Sequence, residues 1–230
     1  MIENKKLSII IPCYNESETI EKLLDKISKV QLGEITKEII IVDDGSDNKT
    51  KEILRNLSTR YRVITLPKNM GKGYAIKQGL KSATGDIILI QDADLEYDPQ
   101  DYAELINPII YSGYQVVYGS RFLSRKNKRS KYYLGVKCLT FLTNILFNSH
   151  ITDEATCYKV FNADLLKNIP LKCKKFEFCP EITAKILKKK IKIKEVPINY
   201  YPRTVGQGKK IKVKDGIMAG WILIKYRFIK

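Results

Sequence analysis

Asp86-Ile87-Ile88-Leu89-Ile90-Gln91-Asp92-Ala93-Asp94-Leu95-Glu96 contains the sharpest change of character in the chain. Ile87 to Ile90 is a short, wholly apolar run of the kind that forms a buried strand. Acidic residues follow at once at every second position, Asp92, Asp94 and Glu96. In extended chain, alternate residues share a face, so the three carboxylates are expected to converge at a sheet edge. Like charges gathered there repel unless something positive sits among them. A hard divalent cation with oxygen ligands, itself holding a phosphate, suits that place. The plainer alternative is a solvated acidic loop.

Working outward, the same strand-then-polar pattern recurs. Leu7 to Ile11 predicts a strand ending at Pro12, with Asn15 as the cap of the next helix and Glu18 as its capping-box partner. Ile20, Leu23, Leu24 and Ile27 give that helix one apolar face. Ile39 to Val42 predicts a second strand, closed by Asp43-Asp44-Gly45-Ser46, with a helix around Lys49 to Leu57. Arg62 to Leu66, Asp86 to Gln91 and Val116 to Tyr118 read as further strands. Gly73 to Ala83 and the segment capped by Asp98-Pro99 read as helices. Apolar strands alternating with amphipathic helices imply an α/β fold with a mostly parallel central sheet flanked by helices. Ligands in such sheets bind at the carboxyl ends of the strands. The polar clusters after Pro12, Val42, Ile90 and Tyr118 all fall there.

The second half is different. Leu105 to Thr152 holds no Asp or Glu, yet contains Arg121, Arg125, Lys126, Lys128, Arg129, Lys131 and Lys137. Tyr132 to Phe147 then reads as a broadly apolar helix whose polar positions Lys137, Thr140 and Asn144 make one narrow stripe. A basic segment abutting such a helix suits a membrane interface, and an ordinary buried helix is the alternative. Ile191 to Tyr201 alternates as a strand. Arg203, Lys209, Lys210, Lys212 and Lys214 follow. Ile217, Trp221, Ile224 and Phe228 mark one face of a terminal amphipathic helix, suited to core packing or to a membrane.

Bulk properties narrow the partners. The 230 residues are 44% hydrophobic and 29% charged, enough for a real core. The formal net charge of +16 points to a polyanion: nucleic acid, an acidic membrane surface or a phosphorylated substrate. Nucleic acid is disfavoured, because no recognisable nucleic-acid module is present and acids cluster at the expected site. The five cysteines show no C-x-x-C pair and read as reduced thiols. No signal peptide and no transmembrane span are expected, which suggests a cytoplasmic protein.

Two further clusters could carry chemistry. Asp43 and Asp44 stand where a strand ends and could accept hydrogen bonds from a ribose hydroxyl or a base N–H; a simple turn is the alternative. Asn69-Met70-Gly71-Lys72-Gly73 has the glycines of a phosphate loop ahead of a helix, but not the spacing of a Walker motif.

The ordered set S-I-I-I-P-C-Y-N-E, I-I-I-V-D-D-G-S, N-M-G-K-G, Q-D-A-D-L-E and V-V-Y-G-S-R-F resembles family 2 glycosyltransferases of the GT-A fold, a Rossmann-like nucleotide-diphospho-sugar transferase fold. The resemblance is strongest to the dolichyl-phosphate mannose synthase-like branch, including Tyr200-Tyr201-Pro202-Arg203-Thr204. It implies one catalytic domain over 1–230, with a nucleotide-sugar-binding half (1–120) and an acceptor-side half (121–230). It implies that Pro12, Tyr14, Glu16 and Asp43 hold the nucleoside; Asp44 and Lys72 are further candidates for binding the nucleotide sugar. Asp92, Asp94 and Glu96 would bind Mg²⁺ or Mn²⁺. Arg121, Arg129, Arg203 and Lys209 would gather the phosphates. Asp94 and Arg121 would serve catalysis.

The implied activity is inverting transfer of a hexose from GDP-mannose or a UDP-sugar to polyprenyl or dolichyl phosphate, in cell-envelope glycan synthesis. It would take place at the cytoplasmic membrane face, with an anionic membrane surface or a membrane-embedded partner. The acceptor phosphate is already ionised, so no base is needed. The alternative acceptor is a sugar hydroxyl of a surface polysaccharide or glycolipid. That reaction needs a base, for which Asp153 and Glu154, in the acceptor-side segment Thr152 to Cys157, are the candidates.

Overall fold

The computed structural model describes residues 5–124, 132–203 and 213–229. In chain order the elements are β1 (Lys6–Cys13), α1 (Ile20–Lys29), β2 (Thr36–Asp43), α2 (Asn48–Leu57), β3 (Arg62–Thr65), α3 (Lys72–Ser82), β4 (Ile87–Ile90), a 3₁₀ turn (Pro99–Asp101) and α4 (Tyr102–Ser112). There follow β5 (Val116–Ser120), α5 (Tyr133–Phe147), β6 (Lys159–Asn162), α6 (Ala163–Lys167), α7 (Phe178–Lys188), β7 (Ile193–Pro197) and α8 (Val213–Phe228).

Among the described residues, seven strands form one sheet in the order β3-β2-β1-β4-β6-β5-β7. The strands of the first half pair in parallel because each is followed by a helix that carries the chain back across the sheet. Leu7, Ile9, Ile10, Ile11, Ile40, Ile41, Ile88 and Leu89 are wholly buried. Burying each such side chain contributes about 1.5–3 kcal/mol. Gly79 lets α3 lie close on the sheet, since a Cβ there would come within 2.5 Å of Ile10 Cγ2.

One strand departs from the expected pattern. The short segment Lys159–Asn162 forms β6, antiparallel to both β4 and β5 and lying between them. Its four residues begin with a charged lysine and carry no alternation that periodicity could detect. β7 then adds to β5 in parallel. The sheet therefore runs through both halves of the chain.

This topology collects one edge. Cys13 pairs with Asp43 and Ile10 with Ile90, so the carboxyl ends of β1, β2 and β4 lie side by side. Because β6 is antiparallel, its amino end, next to residues 152–157, reaches that same edge beside Ser120 at the end of β5. Ser120 pairs with Pro197, so the chain leaves β7 there too, towards Tyr200 and Arg203. Asp101 fixes that exit, its carboxylate accepting from Asn199 N and Asn199 Nδ2, both at 2.7 Å.

The expected Asn15 cap does not form. Helix α1 begins at Ile20 after Thr19, and a turn built on Glu16 O precedes it. Asn15 has a positive φ of 52° and instead ties β1 to β2: its Oδ1 accepts from Asp47 N, and its N–H donates to Ser46 Oγ.

Helices α5 and α8 pack together, and α8 also packs on α7. The polar stripe of α5 faces inward. Thr140 and Thr143 are buried, Thr140 Oγ1 accepts from Glu154 N, and Asn144 bonds Ile151 through both its side-chain ends. The apolar side faces out, with Leu134, Phe141 (67%) and Ile145 exposed. On α8, Ile217, Trp221 (60%), Ile224 and Phe228 are likewise exposed, while Ala219 and Leu223 are buried. No helix among the described residues is long and apolar enough to cross a membrane. All five cysteines are free thiols.

Candidate active site

The acids after β4 do not continue in extended form. Asp94 Oδ1 accepts from the N–H of Glu96 at 3.0 Å, a local turn that breaks the alternation. The three carboxylates therefore do not close on one centre. Among the described residues no group of three or more His, Cys, Asp or Glu side chains is arranged to hold a metal ion. Glu96 is engaged within the protein, accepting from Tyr200 Oη at 3.0 Å and from Arg203 N at 2.8 Å. The expected Asp92–Asp94–Glu96 cage is thus reduced to the two aspartates.

Each aspartate faces a cation. Lys72 Nζ lies 2.5 Å from Asp92 Oδ1 and 3.7 Å from Cys157 Sγ. Against the pull of burial, Asp92 holds the Lys72 ammonium well above its usual pKa, and Lys72 holds Asp92 below its own. Arg203 Nη2 donates to Asp94 Oδ2 at 2.7 Å, and its Nη1 donates to Glu16 Oε2 at 3.2 Å. Burial, with the Asp92 charge beside it, nevertheless pushes Asp94 up to about 7, because Arg203 offsets only part of that cost.

The backing of this pair is aromatic. Tyr102 and Tyr158 both donate from Oη to Gln91 Oε1 at 2.8 Å, and Gln91 Nε2 donates to Asp92 O at 2.9 Å. Tyr97 packs on Tyr158 and on Tyr200, and its hydroxyl accepts from Cys157 N. Sequence reasoning missed Gln91, Tyr97, Tyr158 and Cys157. Position directly beside the acidic run was the available signal for Gln91; the others become neighbours only through the fold.

At the ends of β1 and β2, Pro12, Tyr14 and Glu16 line the edge, half-buried. Asp43 is buried. Its Oδ1 accepts from Ser46 N, while Oδ2 has no hydrogen-bond partner among the described residues. Asp44 is an organiser: its two oxygens accept from Met70 N and Gly71 N at 2.7 and 2.8 Å. The phosphate-loop reading of Asn69 to Gly73 fails on hydrogen-bond accounting. Gly73 N and Tyr74 N, at the start of α3, donate to the carbonyls of Lys175 and Lys174. Gly71, at φ +97°, stands so near Lys174 O that a Cβ would come within 2.4 Å. This helix start is closed by protein backbone.

At the ends of β5 and β6, Arg121 and Asp153 form a bidentate pair. Arg121 Nε donates to Oδ2 at 2.7 Å, Nη2 to Oδ1 at 2.6 Å, and Arg121 N to Oδ2 at 3.0 Å. The guanidinium also lies over the Tyr200 ring, 5.2 Å from its centroid. Asp153 has no exposed surface, and Glu195 on β7 accepts from the Thr152 and Asp153 N–H groups. Glu154 is fully buried too. Burial pushes its pKa up, and Lys159, whose Nζ donates to Glu154 O at 2.6 Å, only partly offsets this. Both carboxylates expected as bases are buried here, and Asp153 is paired with Arg121. Arg129 and Lys209 lie outside the described residues, as do Arg125, Lys126, Lys128, Lys131, Lys210 and Lys212.

The surviving donor set can still hold a hard cation. Asp92 and Asp94 are oxygen donors side by side at the sheet edge, and the crowding that raises Asp94 is the kind a divalent ion relieves.

Residues 8–169 match the family model described as Glycosyl transferase family 2. The chain is 31% identical over 232 residues to the dolichol-phosphate mannosyltransferase of Pyrococcus furiosus, covering 98% of this chain and 64% of that protein. It is 30% identical over 247 residues to the UDP-N-acetylglucosamine–dolichyl-phosphate N-acetylglucosaminyltransferase of Methanococcus voltae, covering 96% and 97%. The fold is similar to that of glucosyl-3-phosphoglycerate synthase from Mycobacterium tuberculosis, solved in complex with Mn²⁺, UDP and phosphoglyceric acid. The TM-score is 0.76 at 20% identity, over 98% of this chain and 80% of that one.

Proposed function

The chain belongs to glycosyl transferase family 2, and from that premise we propose that it moves a hexose from a nucleotide sugar, GDP-mannose or a UDP-sugar, to a polyprenyl or dolichyl phosphate. Relatives named for dolichyl-phosphate acceptors support this reading. The observation that carries the choice of acceptor is Asp153: wholly buried and clamped on Arg121, it cannot take a proton from a hydroxyl. A phosphate acceptor needs no such base, because its oxygen is ionised at neutral pH.

The edge residues divide the work. Half-buried Pro12, Tyr14 and Glu16, at the ends of β1 and β2, would receive the nucleoside. Lys72 and Arg203 bring positive charge to the diphosphate. Asp92 and Asp94 would hold Mg²⁺ or Mn²⁺, which when bound supplies charge neutralisation of the leaving nucleoside diphosphate. Arg121, fixed by Asp153, adds a preorganised positive charge beside Tyr200. The acceptor phosphate oxygen forms its bond to the anomeric carbon as the bond to the diphosphate oxygen breaks. The nucleoside diphosphate leaves with the electron pair, and attack from the opposite face inverts the configuration.

The acceptor's chain is lipid, and the outward apolar faces of α5 and α8 suit docking at an anionic membrane surface on its cytoplasmic side. Lys225 and Arg227, exposed on α8, would supply cations for the headgroups.

The test is a partition assay. Enzyme, Mn²⁺, polyprenyl phosphate and sugar-labelled GDP-mannose or UDP-sugars are mixed and extracted. Label is expected in the organic phase, and it is expected to stay aqueous when EDTA is added. Label that remains aqueous with every donor would overturn the assignment.

A further inference from the structure

Both carboxylates proposed as cation ligands already hold a cation that belongs to the chain. Lys72, the first residue of α3, contacts Asp92 at 2.5 Å and is steadied by the Cys157 thiol at 3.7 Å. Arg203, beyond β7, contacts Asp94 at 2.7 Å and Glu16 at 3.2 Å. These are not loose surface pairs. The lysine and arginine side chains are each 18% exposed, and they come from elements far apart in sequence. Exposed pairs separate at little cost. Separating half-buried ones leaves a charge stranded unless a new partner arrives at the same time.

We infer that Lys72 and Arg203 are resident counter-cations that keep a divalent ion off Asp92 and Asp94 until a nucleoside diphosphate arrives. The inference rests on the functional reading above and adds an order of events to it. A divalent ion approaching Asp92 alone meets an ammonium already touching the same carboxylate, and the like charges repel. A diphosphate brings new anionic oxygens. Lys72 and Arg203 then exchange a carboxylate for a phosphate, and the two aspartates are released to the metal. Metal and nucleotide must therefore raise each other's affinity by the same factor. The site discriminates against free metal without any moving lid.

Manganese binding reads this directly, because free aqueous Mn²⁺ has a strong electron paramagnetic resonance signal that is lost on binding. Wild type, Lys72→Met and Arg203→Gln are titrated with Mn²⁺ alone and with Mn²⁺ plus UDP or GDP. Wild type is expected to bind Mn²⁺ alone at least about tenfold more weakly than with the accepted nucleotide. Each variant is expected to bind Mn²⁺ alone about tenfold more tightly than wild type, with a smaller nucleotide enhancement. The two substitutions lie on separate elements, so a folding defect in one, seen by circular dichroism, leaves the other as the test. Equal wild-type affinity with and without nucleotide, or folded variants that gain nothing for Mn²⁺ alone, would overturn the inference and leave the functional reading standing. No Mn²⁺ binding by wild type under any condition would remove both.

Discussion

Asp94→Asn is expected to lower the turnover number for sugar transfer by about a thousandfold, the scale of losing a principal charge-stabilising group. Asparagine keeps the volume and keeps an oxygen for the Glu96 N–H, so the turn after β4 should persist. What it removes is the negative charge that faces Arg203 and, on the reading above, the metal. The fold should not suffer. Asp94 is pushed up to about 7 in the folded protein, against an ordinary value of 3.8. Between those values the folded state holds a proton that the unfolded chain has released. Stability tied to Asp94 is therefore complete below about pH 4 and is lost as pH rises through about 7. In metal-free protein, Asp94→Asn should flatten that decline and melt at pH 8 no lower than wild type. Thermal melts across pH, beside steady-state kinetics, check both halves. A variant that retains activity, or one that loses it by unfolding, would contradict the assignment.

Asp153→Ala should behave in the opposite way. It strands the Arg121 guanidinium, which is mostly buried and held at two nitrogens by that carboxylate. Removing one partner of a buried pair costs about 3–5 kcal/mol. That is a large share of the roughly 5–15 kcal/mol by which domains are stable. In a chain of this size the melting temperature should fall by about 10 °C. Asp153→Asn keeps one acceptor oxygen and should lose less. A general base would give another result: both variants inactive, both melting like wild type, and the basic limb of the pH–rate profile gone. That outcome would restore a hydroxyl acceptor.

Much of this site can be read from the chain, because its strands announce themselves. The apolar runs of β1, β2 and β4 each end in a polar cluster, and parallel pairing puts those ends together whatever the details. That is why the position of Asp92 and Asp94 at the sheet edge was legible. Glu96 was read as a third ligand because alternation assumes extended chain. A hydrogen bond two residues long bends the chain instead, and Arg203 and Tyr200, more than a hundred residues away, claim the side chain. Asp153 was a candidate base because a hydroxyl acceptor would need one and the resemblance puts Thr152 to Cys157 in an acceptor-side loop. Its partner Arg121 is brought to it by β6, a strand with no periodic signal. In α5 the stripe was correctly found, but periodicity says only that two faces differ. The fold turned the polar one inward.

The central claim is that a divalent cation and a nucleoside diphosphate meet at the tip of β4. The most direct measurement is an anomalous difference map from crystals soaked in Mn²⁺ with UDP or GDP. The account predicts a manganese peak bound by Asp92 and Asp94, with the diphosphate against it and Lys72 and Arg203 turned onto phosphate oxygens. A peak elsewhere, or nucleotide bound away from those aspartates, would contradict it.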